Sequence, residues 1–462
     1  MPIHVVILAA GEGKRMKSDL PKVAHVAAGR SLVNWVIDAV RPLDPVSTVV
    51  VVGHGADKVR QILPDDTIDA LQEQQLGTGH AAAIGFDALG ALDRDDTVMI
   101  LYGDTPLLTP ELLFELADLG EDETARLIST HFDDPSGYGR VTRDEMGQVS
   151  GIVEHRDCTP EQLNNDEVNA GIYAVRAGRL AETLKQIDND NAQGEYYLTD
   201  VVGLLVEAGD RLTTVDANPQ EVMGINSQDQ LADARRELQR RINHRLMKSG
   251  VAIVDPDRTY IDDTVTVEPG ALIYPGTHLE GATSVGTGSQ VGPDVFAVDS
   301  TIGAGATVWY AVLRGARVGN DCEVGPYASL RPGTVLEAGS KVGTFVETKN
   351  TTLGPGAKAP HLSYLGDATI GARANIGAGV ITVNYDGVKK SPTVIGEDAF
   401  IGSDTMLVAP VTVGDDGTTG AGSVITKDVS PGALAVERST QKEIPGYAQR
   451  REARKAAEDA ED

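Results

Sequence analysis

Aliphatic side chains recur every six residues through much of the second half of this chain. Val267, Ile273, Leu279, Val285 and Val291 form one run, Val318, Val324, Leu330, Leu336 and Val342 a second, and Ile395, Ile401, Leu407 and Val413 a third. A period of six is neither the 3.6 of a helix nor the alternation of a flat strand. It is the signature of hexapeptide repeats, in which each short extended segment forms one side of a prism-like coil with the aliphatic pointing inward. Gly, Ala or Pro near each corner lets the backbone turn sharply. One coil cannot bury its own aliphatics, so the fold needs stacked neighbours and draws further burial from neighbouring chains. An aromatic content of 4% suits so narrow a prism. The repeat slips twice: Ala297 to Ile302 is one residue short, and Thr382 to Ile395 is longer than the period allows. Solvent-facing loops, and chemistry with them, are expected there.

The array leaves the first half of a 462-residue chain for a separate core, so at least two domains are expected. No apolar run is long enough to span a bilayer, and the N-terminus lacks the basic region and cleavage site of a signal peptide, so the expected location is cytoplasmic. Cys158 and Cys322 lack metal-ligand spacing and read as ordinary thiols. A formal charge of -28 opposes non-specific nucleic-acid binding. A phosphorylated small substrate needs only a local cluster of Lys and Arg.

Ile3 to Ala10 is a near-continuous apolar run of the kind found in a strand buried on both faces. Similar strands are expected at Thr48 to Val52 and Val98 to Leu101, with amphipathic helical patterns at Leu32 to Val40 and Ala81 to Leu92. Strand alternating with helix predicts an α/β doubly wound parallel sheet, with ligands at the carboxyl ends of its strands. The first such loop, Gly11-Glu12-Gly13-Lys14-Arg15-Met16, has Met16 where a dinucleotide fingerprint has its third Gly, and GxxxxGK[ST] is absent. Lys14, Arg15 and Lys22 instead suit a triphosphate. In QEQQLGTGH, from Gln72 to His80, amide side chains have the donor and acceptor groups to meet a base edge. Asp104 directly follows a buried strand, where a carboxylate can hold a divalent cation against phosphate oxygens. Each feature has a plainer reading, as a tight turn, a polar loop and a helix cap.

Leu231, Leu238, Ile242 and Leu246 share one face of a helix expected over Gln228 to Met247, and its interspersed arginines and acids read as a solvated linker helix. Charged residues interrupt the array: Arg331 in LRPGT, Lys349 in VETKN, His361 in APHLSYLGD, then Asn375, the loop VNYDGVKK and Ser403. Arg331, Lys349 and Lys390 suit a phosphate clamp, with Tyr364 and Asn375 beside them. An imidazole such as His361 can take a proton from an ammonium near neutral pH, freeing an amine to attack a thioester.

Taken in order, LAAGEGKRM, Lys22 in LPKVAH, QQLGTGHA, YGDTPL, GYGR, EHRD and EVNAGIY, followed by the hexapeptide array, resemble the bifunctional uridyltransferase and acetyltransferase family that makes UDP-N-acetylglucosamine. The likeness runs from residue 3 to about 445. It implies a Rossmann-like nucleotidyltransferase domain over 1–227, a linker helix over 228–250, a left-handed parallel β-helix with acetyltransferase activity over 251–440, and a tail over 441–462. It implies that Leu8, Ala9, Ala10, Gly11, Gln72, Gly77 and Thr78 hold the uridine, with Tyr102 and Gly103 in the same site. Arg15 and Lys22 would face the triphosphate, and Gly139, Glu154 and Asn169 the N-acetylglucosamine part. Asp104 and Asn226 would ligate Mg2+. His361 would be the base of acetyl transfer. Arg331, Lys349, Tyr364, Asn375 and Lys390 would bind glucosamine 1-phosphate, and Ala378, Asn384, Tyr385, Ser403, Ala421 and Arg438 would surround acetyl-CoA. A cytoplasmic homotrimer supplying peptidoglycan and lipopolysaccharide precursors is implied, with no nucleic-acid or membrane partner.

Thr419 departs from the pattern by occupying an inward aliphatic position, and Gly420 follows where a side chain is usual for the family. Local packing, and through it acetyl-CoA affinity, is where this departure would tell. The charged run Gln449 to Asp462 is expected to be a frayed helix or a disordered tail. Two rivals stand beside this reading: a single-activity nucleotidyltransferase whose array serves only as a trimerisation scaffold, and a sugar-nucleotide sensor that has lost its chemistry.

Overall fold

The computed structural model describes residues 1–191 and 193–460. The chain divides into two compact units, Met1–Arg245 with Ile261–Thr264, and Leu246–Tyr260 with Val265–Asp462.

In the first unit the apolar runs become adjacent parallel strands. Ile3–Ala9 pairs with Ser47–Val52 on one side and Thr97–Tyr102 on the other, and Ile68–Leu71 extends the sheet beyond Ser47–Val52. Val5, Val6 and Ile7, like Val49 to Val52, are fully buried because helices cover both faces. One face packs against the helices Leu32–Val40 and Pro110–Ala117, the other against Thr78–Ala88, Ala177–Thr183 and Asp200–Glu207. The sheet is mixed where a parallel one was expected: Glu167–Arg176 runs antiparallel to both Thr97–Tyr102 and Ala125–His131. Its register shifts between Asn169 and Tyr173, a bulge that re-aims side chains at the carboxyl end of the sheet.

The helix Gln228–Lys248 is docked, which corrects its reading as a solvated linker. Leu231 and Leu238 join a cluster with Met16, Leu32, Leu107 and Ile225. Arg235 donates to the Val26 carbonyl at 2.7 Å, Arg241 to the Leu107 carbonyl at 2.8 Å, and Arg245 pairs with Asp263 at 2.7 Å. Arg235 and Arg241 thus fasten the helix by donating to loop carbonyls, and Arg245 does so by an ion pair.

The second unit is a left-handed parallel β-helix. Its short strands pair with the equivalent strand of the next coil, always in parallel, as in Leu272↔Gln290 and Thr307↔Glu323. The hexad aliphatics from Ile273 to Ile401 point inward and are buried, each contributing roughly 1.5–3 kcal/mol of burial. The interior also holds hydroxyls that periodicity did not predict. Thr334 and Thr348 bond each other at 3.0 Å, and Thr351 donates to the Leu365 carbonyl at 2.9 Å, so these buried polar groups are satisfied. The short hexad turns through Asp299 in the left-handed region. The long one leaves the prism at Asn384, closes on an antiparallel bridge between Tyr385 and Lys390, and returns at Thr393. The tail forms an exposed helix, Tyr447–Glu458, and residues 461–462 of the expected tail lie outside the described residues.

Candidate active sites

Leu8 and Tyr102 are level on neighbouring parallel strands, so the loops that follow open at the same end of the sheet. The Gly103 N–H donates to the Leu8 carbonyl at 2.9 Å, and a Cβ on Gly103 would meet Ala9 and Val23 at 3.3 Å. Above them lies a cleft of about 440 Å³ lined by Arg15, Lys22, Tyr102, Asp104, Gly139, Glu154, Asn169 and Asn226. The structure thus brings together residues spread from position 15 to position 226.

Within the cleft the side chains are held. The Asn226 amide nitrogen donates to the Gly224 carbonyl at 3.1 Å, which turns its oxygen toward Lys22, 2.9 Å away. Lys22 also pairs with Asp104, so a carboxylate oxygen and an amide oxygen converge on one cationic position. The three cations expected to suit a triphosphate, Lys14, Arg15 and Lys22, have different surroundings. Lys14 is exposed and paired with Glu12 at 2.9 Å, Lys22 is nearly buried against Asp104, and Arg15 lines the cleft. Among the described residues no group of three or more His, Cys, Asp or Glu side chains is placed to hold a metal. A cation bound between Asp104 and Asn226 would complete its shell from phosphates and water, as Mg2+ prefers.

Deeper in the same cleft, the Asn169 oxygen accepts from the Gly171 N–H at 3.0 Å and its nitrogen donates to the Tyr173 hydroxyl at 2.6 Å. Gly171 has φ 76° and faces the Tyr102 ring, which leaves no room for a Cβ. Burial pushes the Glu154 carboxyl above its ordinary range, partly opposed by a 3.0 Å hydrogen bond from the Thr199 hydroxyl, while Asp157 adds to the rise. Burial raises the Tyr102 phenol too, with the charges of Glu154 and Asp104 adding to the effect.

Leu8 and Ala9 end the first strand and Ala10 follows it, all three buried, leaving backbone and the open Gly11 to meet a ligand. The Gln72 amide nitrogen donates to the Gly77 carbonyl at 3.2 Å and lies 3.1 Å from the His80 ring nitrogen, so it braces the loop it was expected to share with a base. Gly77 has φ 116° and sits so close to the Tyr196 backbone that a Cβ would lie 2.5 Å from its carbonyl oxygen. Thr78 accepts from the Leu198 N–H at 3.1 Å.

Sequence reasoning passed over Thr199 and Gln230. The Gln230 oxygen accepts from the Asn226 N–H at 2.8 Å and fixes the loop that carries Asn226. Thr199 immediately precedes the helix Asp200–Glu207, a position that sequence alone assigns to capping, yet its side chain makes no cap hydrogen bond.

In the coil, two edges of one face carry the expected residues. On a cationic edge, Asn350 and Asn384 both donate to Asp367, Asn350 at 2.8 Å. Arg331 pairs with Glu347 at 2.7 Å. The Lys390 ammonium beside Lys349 holds the Lys349 amine below its ordinary range, with Arg331 adding to the effect. Burial alone would raise the Asp367 carboxyl, but Asn350, Asn384, Lys390 and Lys349 hold it below the usual carboxylate range. Gly366 leaves room at the centre: a Cβ there would lie 2.5 Å from the Tyr364 hydroxyl and 2.8 Å from the Asn384 amide.

On the opposite, histidine edge, the corners of successive coils stack. The Asp404 N–H donates to the Ala378 carbonyl at 2.7 Å and the Gly422 N–H to the Ser403 carbonyl at 2.8 Å. Arg438 donates to the Ala421 carbonyl at 2.9 Å. His361 is exposed at this edge, where the Ser363 hydroxyl donates to its backbone carbonyl at 2.8 Å and lies 3.2 Å from that of Gly377. The expected acetyl-CoA residues are therefore divided, with Ala378, Ser403, Ala421 and Arg438 here and Asn384 and Tyr385 on the cationic edge. Asn375 belongs to neither: its strand lies in the other sheet, between Lys358 and Phe400. Within one chain Asn375 does not join Tyr364 and the cations, because the prism turns a corner between them.

A MobA-like NTP transferase domain matches residues 5–192, and six repeats of the bacterial transferase hexapeptide match residues 392–427. The bifunctional protein GlmU of Streptomyces avermitilis is 48% identical over 99% of this chain and 96% of its own length. The chain belongs to the GlmU family. GlmU proteins of Caldanaerobacter subterraneus and Marinobacter nauticus are 45% and 47% identical, each over 96% of this chain and covering 97% and 98% of their own lengths. Membership makes the chain a bifunctional transferase, uridyltransferase and acetyltransferase together, and removes the scaffold and sensor rivals. No helix among the described residues is long and apolar enough to cross a membrane. The GlmU departure at Thr419-Gly420 is accommodated, since Thr419 is buried with its hydroxyl bonded to the Gly402 N–H at 3.0 Å.

Proposed function

We propose that this GlmU protein acetylates glucosamine 1-phosphate within residues 251–440 and uridylylates the product within residues 1–227, with 228–250 joining the two and 441–462 as a tail. The observation that carries the nucleotidyl half is the convergence of the Asp104 and Asn226 oxygens on one cationic position, in a cleft shared with Gly139, Glu154 and Asn169. The sugar 1-phosphate oxygen attacks the α-phosphorus of UTP in line, a P–O bond forms, and pyrophosphate leaves. Arg15 and Lys22 offset charge on the phosphates, and no protein nucleophile is required. Asp104 and Asn226 would hold Mg2+, which when bound neutralises phosphate oxygens. Glu154 and Asn169 orient the sugar.

In the acetyl half, the apposed Lys349 and Lys390 ammoniums repel each other unless an anion lies between them, and the phosphate of glucosamine 1-phosphate fits that role. His361 takes a proton from the substrate ammonium, and the freed amine attacks the thioester carbonyl. The C–N bond forms, the C–S bond breaks, and the coenzyme thiolate leaves and is protonated.

His361, Asn375 and the cations occupy different places on one prism, which supports a homotrimer whose acetyl sites lie between chains. A ladder of exposed apolar residues on the histidine edge supports the same reading: Tyr310, Tyr327 and Phe345 stack at 5.5 Å spacing with positive φ. The enzyme would work in the cytoplasm, supplying cell-wall precursors, with no nucleic-acid or membrane partner.

The test is a paired assay. Asp104→Asn should lose most pyrophosphate release from UTP while keeping thiol release from acetyl-CoA, and His361→Ala should do the reverse. Loss of both activities in either folded variant would sink the division of labour.

A further inference from the structure

The cationic edge does not begin at Arg331. Leu313 is level with Leu330, and Leu330 with Thr348, so the residues that follow them, Arg314, Arg331 and Lys349, stack on successive coils. Lys349 is in turn level with Gly366, where the column has no side chain. Arg314 and Lys349 are two strand spacings apart at the backbone, roughly 10 Å, a gap that long side chains can close around one phosphate.

A groove of about 350 Å³ opens on this column, lined by Arg314, Ser329, Arg331, Pro332 and Glu347. Its electrostatics are specific. Glu347 offsets the charge of Arg331 at 2.7 Å, so without Arg314 the groove would carry no net positive charge toward an anion. Arg314 is exposed, and among the described residues its guanidinium has no ion pair. Arg331 is by contrast held in place by its carboxylate partner. A planar guanidinium with free donors beside a hydroxyl is suited to a phosphomonoester dianion, which it can bind through two parallel hydrogen bonds. The overall charge of -28 strengthens the point, since a dianion approaching this surface needs a locally positive groove.

We infer that Arg314 is a further binding residue for the phosphate of the amino-sugar substrate, closing the clamp from the side opposite Lys349 and Lys390. This rests on the reading of Lys349 and Lys390 as phosphate ligands. Arg314 acts in binding and is remote from the amine, so its effect falls on affinity with the chemical step untouched.

The experiment is steady-state acetyl transfer by the full chain, with glucosamine 1-phosphate varied at saturating acetyl-CoA, for Arg314→Ala, Arg314→Lys and Lys349→Ala. Arg314→Ala should raise KM for the sugar phosphate roughly five- to twentyfold with kcat within about twofold. KM for acetyl-CoA and the uridylyl activity should not move. Arg314→Lys should recover part of the loss, because it restores charge without the planar fork. Inorganic phosphate, as a competitive inhibitor, should weaken by a similar factor in Arg314→Ala. An unchanged KM in Arg314→Ala beside a raised KM in Lys349→Ala overturns the role of Arg314 and leaves the clamp standing. If Lys349→Ala also leaves KM unchanged, the phosphate reading of the whole edge fails. A fall in kcat alone in Arg314→Ala overturns the binding role as well.

Discussion

Asp200 opens the helix Asp200–Glu207, where the helix dipole favours a carboxylate. Burial nevertheless pushes its carboxyl up to about 6, with the charges of Asp188, Glu154 and Asp157 adding to the rise. A carboxyl whose folded pKa lies above its unfolded value favours folding at low pH and loses that contribution as pH rises through the folded value. The loss here falls between about pH 4 and pH 6. Asp200→Asn is therefore expected to stabilise the first unit at pH 8 by about 1–2 kcal/mol, after allowance for partial exposure, with the gain gone at pH 4. Thermal melts of both proteins across that range check the sign. Such residue-level coupling is poorly legible in sequence. Asp104 is visible because it directly follows a buried strand. Asp367, which anchors Asn350 and Asn384, looks like the corner aspartates Asp299, Asp398 and Asp416, all of them also at positive φ. Nothing in the chain order distinguishes an aspartate that turns a corner from one that also positions neighbours.

The strand Thr418–Thr419 shows how a coil tolerates a polar residue where an aliphatic is expected. Thr405 donates its hydroxyl proton to the Gly402 carbonyl at 2.6 Å, so at the 3.1 Å contact between the two hydroxyls Thr419 is the donor, while it accepts from the Gly402 N–H. Thr419→Val matches the repeat better but strips a partner from a buried N–H. It should destabilise the coil by about 1–3 kcal/mol, measurable as a lower denaturant midpoint. A neutral or stabilising result would mean that packing outweighs the lost bonds. Elements were more legible than residues because periodicity survives in one dimension: Leu32–Val40 begins and ends as the amphipathic pattern implies, and the hexads lie inward. The strand Glu167–Arg176 reads equally well in either direction, since burial on both faces erases any mark of orientation. The arginines of Gln228–Lys248 misled for a related reason: carbonyl acceptors contributed by distant loops leave no pattern in the helix itself.

At the scale of the molecule, the order of the motifs revealed both activities, while their distribution over the edges of the prism stayed hidden. His361 and Tyr364 are three residues apart in sequence, yet one stands at the histidine edge and the other faces the cationic one. If acetyl transfer needs edges from different chains, it should depend on association while uridylyl transfer should not. Light scattering is expected to give three times the chain mass of 48.7 kDa, and dilution or mild denaturant that yields monomers should lose thiol release first. Equal loss of both activities would argue against sites shared between chains. The excursion from Asn384 to Lys390 has a further consequence. Strand pairing continues undisturbed on either side of it, with Ile381 level with Met406 and Thr393 with Val411. From Tyr385 to Lys390 the segment is thus free of the stacking that fixes the hexads around it, while Asn384 stays tied to Asp367 of the neighbouring coil. If these residues bind substrate as proposed, a lineage can rewrite this short insertion over evolutionary time and change what the enzyme accepts, while the coils beneath are inherited unaltered.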